Sequence, residues 1–133
     1  MELKNLKINF LGDSITEGHG TTGVDKHFVT LIGQWAECEV ENRFVNRVAA
    51  MTGAITRNYG VGGTRIARQT NPSANDVWDR DFIARAETMD DDADIVVVFG
   101  GTNDFGHGDA PFGQIGDETV NTFCGAVKCL FTT

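Results

Sequence analysis

Three short segments hold residues that together could carry out acyl transfer: Gly12-Asp13-Ser14, Gly60-Val61-Gly62-Gly63 and Gly101-Thr102-Asn103. That chemistry needs a hydroxyl able to attack a carbonyl carbon, and donors aimed at the oxygen that turns negative in the tetrahedral intermediate. Ser14 can offer the hydroxyl and its own backbone N–H. Gly63 can bring a backbone N–H close to a substrate because no side chain intervenes, and Asn103 can add an uncharged amide donor. Each residue also has a plain structural reading. Ser14-Ile15-Thr16-Glu17 has the spacing of a capping box, in which the hydroxyl satisfies a free N–H at a helix start. Asn103 can be a turn residue bonded to its own backbone, and Gly63 can be only a bend.

The elements around these segments say where they fall. Lys7-Ile8-Asn9-Phe10-Leu11 is an apolar-leaning run that stops at Gly12-Asp13, which predicts a first strand and a turn, with Ser14 to Glu17 as a helix start. Residues 18–40 read as a long loop with some regular structure around Phe28-Val29-Thr30-Leu31-Ile32. After Glu41, the residues Phe44, Val48 and Met51 recur at helical spacing, and Gly53 suits the stop. Residues 54–59 are expected as a second strand, and 76–89 as a helix with Trp78, Phe82 and Ile83 on its inner face. Ile95–Phe99 reads as a central parallel strand, apolar on both faces. His107 falls in the loop after it, and residues 117–131 read as a last helix.

Strand, loop and helix repeat three times, which predicts an α/β fold with a parallel sheet. In open sheets of this kind ligands bind beyond the carboxyl ends of the strands. All three glycine-bearing segments fall at such ends, so one shared pocket is expected.

Gly12-Asp13-Ser14-Ile15-Thr16-Glu17-Gly18 resembles the block that names the GDSL, or SGNH, ester hydrolases. Asn58-Tyr59-Gly60-Val61-Gly62-Gly63 is similar to that family's glycine block, and Gly101-Thr102-Asn103-Asp104 to its G-x-N-D block. The three occur in the family's order over residues 7–108. The resemblance implies a flavodoxin-like, three-layer α/β/α fold with strand order 2-1-3-4-5. It implies Ser14 as nucleophile, and the N–H groups of Ser14 and Gly63 with the Asn103 side chain as oxyanion hole. It also implies hydrolysis of esters, commonly short acyl or acetyl groups on lipids, sugars or small molecules, without a metal or organic cofactor.

The family's fourth block, an Asp-x-x-His near the C-terminus that supplies the base, is not found where it should be. Asp104-Phe105-Gly106-His107 has that spacing, but Asp104 already closes the G-x-N-D block, which leaves His107 a weak candidate. His19 and His27 read as surface residues. Only three of the family's five strands are legible. Residues 1–133 are therefore expected to form one hydrolase-like domain that lacks its last strands, with the third strand as an exposed apolar edge open to self-association.

Composition narrows the alternatives. At 133 residues and 41% hydrophobic the chain has material for one core. A formal charge of -8 argues against a nucleic-acid partner. No signal peptide or membrane span is visible, so the chain reads as cytoplasmic. Cys38, Cys124 and Cys129 are an odd set without a C-x-x-C pair and read as reduced thiols near a core. A phosphate- or nucleotide-binding module is disfavoured, because Gly60-Val61-Gly62-Gly63-Thr64-Arg65 lacks the last glycine of G-x-G-x-x-G and there is no G-K-[ST]. A metal site drawn from Asp104, His107 and Asp109 would be a solvated loop cluster. The serious rival is a binding domain for esters or carbohydrates, inactive because Ser14 lacks its base.

Overall fold

The computed structural model describes residues 2–18 and 43–132. The expectations for the long loop, His19, His27 and Cys38 fall outside these residues.

Strand β1 (Lys7–Gly12) is the centre of a parallel sheet, flanked by β2 (Ile55–Gly60) and β3 (Ile95–Phe99) in the order β2-β1-β3. This matches the first three strands of the flavodoxin-like order. Alternation along β1 builds a layer on each face. Ile8 and Phe10 pack with Val45 of α2 (Phe44–Thr52) and with Ala54. Leu11 points the other way, into Phe82 and Ile83 of α3 (Phe82–Ala86) and Ala126 and Leu130 of α5 (Phe123–Thr132). Asn9 shares that second face and is buried with both ends of its amide bonded: Nδ2 donates to the Asp90 carbonyl and Oδ1 accepts from Arg57.

Several elements differ from the sequence reading. Helix α2 stops at Gly53 as expected, and Phe44 and Val48 pack against the core as expected, but the fully buried residue is Val45 and Met51 is 82% exposed. The helix expected over 76–89 is broken into a 3-10 turn (Asp76–Asp79) and α3. Asp81 causes the break: its carboxylate accepts from Ala84 N–H at 2.9 Å as the N-cap of α3 and also holds Arg68 at 2.9 Å. The last helix begins only at Phe123, after Asp117 has tied Gln114 N–H and the Thr122 hydroxyl into a turn. Residues 102–107 are not a loop but the helix α4 (Thr102–His107). Strand β3, by contrast, lies at an edge of the described sheet as expected of the third strand, with Val96 50% and Phe99 48% exposed.

Candidate active site

The register aligns Gly12 with Gly60 and with Phe99, so the three strands end level and release their loops side by side. Gly12 is required there by close approach: a Cβ would lie 1.9 Å from Thr16 Oγ1 and 3.0 Å from the Phe99 carbonyl. From this rim the chain enters α1 (Ser14–Glu17), the 61–67 loop, and α4.

Ser14 is half-buried at the first position of α1, and the cap belongs to its neighbour. The buried Asp13 carboxylate accepts from Ile15 N–H at 2.9 Å. Glu17 reaches across the rim, where its carboxylate accepts from Gly62 N–H at 2.8 Å. The capping-box arrangement is therefore not formed. Neither the hydroxyl nor the N–H of Ser14 has a hydrogen-bond partner among the described residues.

The glycine loop shows the same economy. Val61 N–H donates to the Gly12 carbonyl at 3.1 Å, Gly62 N–H to Glu17, and Thr64 N–H to the Val61 carbonyl at 3.4 Å. Gly63 N–H donates to none of the described residues. A carboxylate thus occupies the donor that a bound phosphate would need, which speaks against a nucleotide cradle. Gly63 has φ +79°, and a Cβ there would lie 2.2 Å from Trp78 Cδ1. The glycine is needed for both reasons, and Trp78 forms the wall behind it.

Asn103 reaches this loop directly: its Nδ2 donates to the Thr64 carbonyl at 3.0 Å. A primary amide carries two N–H bonds, so one remains. The next residue, Asp104, accepts from Ile66 N–H at 2.9 Å and Ala67 N–H at 3.0 Å. Asp109 similarly accepts from Thr70 and Asn71 N–H, which hold its carboxyl below the usual carboxylate range. These carboxylates serve loop backbone, and no group of three or more metal-binding side chains occurs among the described residues.

Two arginines escaped sequence reasoning. Arg85, buried within α3, donates to the carbonyls of Gly12, Tyr59 and Arg80 and to the Thr64 hydroxyl, and it lies 4.9 Å from the Phe82 ring centre. Burial, together with the nearby charge of Arg80, lowers its pKa to about 10, so it stays a cation at neutral pH. It ties the ends of β1 and β2 to the glycine loop. Arg65, only 2% exposed, bonds Asp79 at 2.8 Å, the Ser73 hydroxyl, the His107 carbonyl at 3.0 Å and His107 Nδ1 at 2.9 Å. Asp79 is held below the usual carboxylate range, first by the Ser73 hydrogen bonds and then by Arg65. Their sequence signal is an arginine among small or apolar residues, as in Thr64-Arg65-Ile66-Ala67 and Ile83-Ala84-Arg85-Ala86.

His107 is exposed and stands next to Asn103, with Nε2 at 3.1 Å from Asn103 Oδ1 and the Trp78 ring at 5.4 Å. Both ring nitrogens are engaged, and neither is bonded to Ser14. Beyond it opens a cavity of about 240 Å³ between Arg65, Trp78 and the 69–74 segment.

Among the described residues, no helix is long and apolar enough to cross a membrane. A comparison with curated proteins finds no match. Three crystal structures resemble the chain. One is 29% identical with a TM-score of 0.74, over 99% of this chain and 52% of the other. A protein from Lactobacillus plantarum is 31% identical with a TM-score of 0.66, over 99% of this chain and 50% of the other. A protein described as a GDSL-like lipase, from Bacteroides uniformis, is 27% identical with a TM-score of 0.72, over 96% of this chain and 64% of the other. The chain thus spans about half to two-thirds of the length of these structures. Residues 10–127 match the GDSL-like lipase/acylhydrolase family, and with all three motif segments at one rim of the expected sheet, the chain belongs to that family.

Proposed function

We propose that Ser14 is the nucleophile of an ester hydrolase, with the N–H groups of Ser14 and Gly63 and the Asn103 side chain as donors to the oxyanion. The substrates are carboxylic esters with short acyl or acetyl groups on a lipid, sugar or small-molecule alcohol. Ser14 Oγ attacks the carbonyl carbon while its proton passes to a base. The tetrahedral intermediate breaks its bond to the leaving oxygen, which takes the proton back from that base as the alcohol departs; water, deprotonated by the same base, then cleaves the acyl-enzyme, and Ser14 Oγ regains its proton as the acid leaves.

One observation carries this reading. The neighbouring loop N–H groups, at 61, 62 and 64, are bonded within the protein, whereas those of Ser14 and Gly63 have no acceptor among the described residues. Unmet donors at a strand-end rim fit a site that waits for an acceptor.

The engaged ring of His107 favours one other reading, an ester-binding domain in which Ser14 is not activated. Turnover decides between them. The chain should hydrolyse a short aryl ester, Ser14→Ala should abolish the reaction, and Asn103→Ala should lower kcat by roughly 10²- to 10³-fold. A folded chain that binds a non-hydrolysable ester analogue without turnover would establish the binding domain instead. An Asn103→Ala variant of undiminished rate would remove Asn103 from the oxyanion hole.

A further inference from the structure

We infer that His107 is a positioning residue: held by Arg65, its ring fixes the Asn103 amide so that Nδ2, not Oδ1, faces the site. The inference rests on the oxyanion role proposed for Asn103. An asparagine amide that turns by half a revolution exchanges its oxygen for its nitrogen, and only one orientation offers an N–H to a developing negative charge. Two contacts decide the orientation. The Thr64 carbonyl can only accept, so it selects Nδ2 at 3.0 Å. On the other side Asn103 Oδ1 needs a donor, and His107 Nε2 lies 3.1 Å away.

Whether Nε2 carries the proton is settled by the opposite side of the ring. The Arg65 guanidinium has donors and no acceptor, so the Nδ1 that it meets at 2.9 Å must be the bare nitrogen. The neutral ring then carries its proton on Nε2 and donates it to Asn103. Arg65 is itself immobilised: it is buried, bonded to Asp79 and Ser73, and bonded a second time to His107 through the backbone carbonyl. Trp78 flanks the imidazole. The result is a relay from Asp79 through Arg65 and His107 to Asn103, four residues apart on the same short helix as His107. It also explains why His107 has no lone pair left for Ser14.

The test combines kinetics with a spectrum that needs no turnover. His107→Ala should lower kcat for a short aryl ester about 10- to 100-fold, less than deletion of Asn103, with KM little changed. His107→Gln, which keeps an N–H near the Nε2 position, should return to within about threefold of the wild-type rate. In an Asn103→Ala background, His107→Ala should add no further loss. An additive loss, or a His107→Gln variant as slow as His107→Ala, would overturn the inference. Independently, long-range ¹H–¹⁵N spectra should place the His107 proton on Nε2, and His107→Gln should keep the Asn103 amide signals that His107→Ala displaces. A proton on Nδ1, or Asn103 signals indifferent to His107→Ala, would refute it even if the chain proved to have no esterase activity.

Discussion

Replacing Gly63 by alanine probes the wall of the site most directly. At φ +79° an alanine costs about 1–2 kcal/mol for its backbone alone. Its Cβ would lie 2.2 Å from Trp78 Cδ1 and 2.3 Å from Nε1, whereas carbon atoms in contact rest at about 3.5–4.0 Å. The indole must retreat by more than about 1 Å, and overpacking of that kind costs about 1–3 kcal/mol. Gly63→Ala should therefore lower the free energy of unfolding by about 2–5 kcal/mol.

The two parts separate in a double-mutant cycle with Trp78→Ala. Without the indole only the backbone part, about 1–2 kcal/mol, should remain. Urea unfolding followed by far-ultraviolet circular dichroism measures all four proteins without relying on tryptophan emission. An equal cost of Gly63→Ala in both backgrounds would show that Trp78 does not press on Gly63, and the wall assigned to it would fall.

Arg85→Lys keeps the charge but replaces a planar fork that serves four acceptors by a single ammonium, so unfolding should become easier by about 1–3 kcal/mol for each carbonyl left bare; denaturant titration checks this, and an unchanged midpoint would refute it. Asp79 and Asp109 are held below the usual carboxylate range in the folded chain, so they contribute stability above that range and lose it as pH falls through their folded values. Unfolding free energy should decline below about pH 4, and Asp79→Asn should make that decline shallower; an identical slope would dismiss Asp79 as a contributor.

The strand ends were legible because their signals are short-range: an apolar run broken by glycine marks β1, β2 and β3 wherever the rest of the fold lies. The three motif segments followed from the same feature. What was not legible depended on competition between partners distant in sequence. Asp81 fits the polar face of a continuous helix from Asp76, yet it caps a new helix and binds Arg68 instead. Met51 fits the α2 stripe by spacing, but beside Phe44 and Val48 it is Val45 that fills the contact with Phe10 and Ala54, and Met51 stays exposed. Reading residues 102–107 as a loop also hid the helical four-residue spacing that sets His107 beside Asn103. Arg65 and Arg85 were passed over because arginine is usually a surface residue, and only the carbonyls converging on them explain their burial.

Those converging contacts connect the fold to the site. The rim is held mainly by polar groups: Glu17 on Gly62, Arg85 on Gly12, Tyr59 and Thr64, Asp104 on Ile66 and Ala67, and Asn103 on Thr64. Each bond consumes a particular donor or acceptor, so the frame also determines which groups are left over. A backbone N–H removed from water without a partner costs about 1–3 kcal/mol, and a packed loop normally turns such groups towards an acceptor. At this rim Ser14 and Gly63 keep theirs unmatched among the described residues while their neighbours are bonded. Donors held in place by bonds on either side need little rearrangement when charge develops on a substrate oxygen, which is the condition under which they stabilise a transition state more than a ground state. In the proposed esterase the residues that fasten the loops thus prepare the site, and of them only Asn103 also touches the substrate.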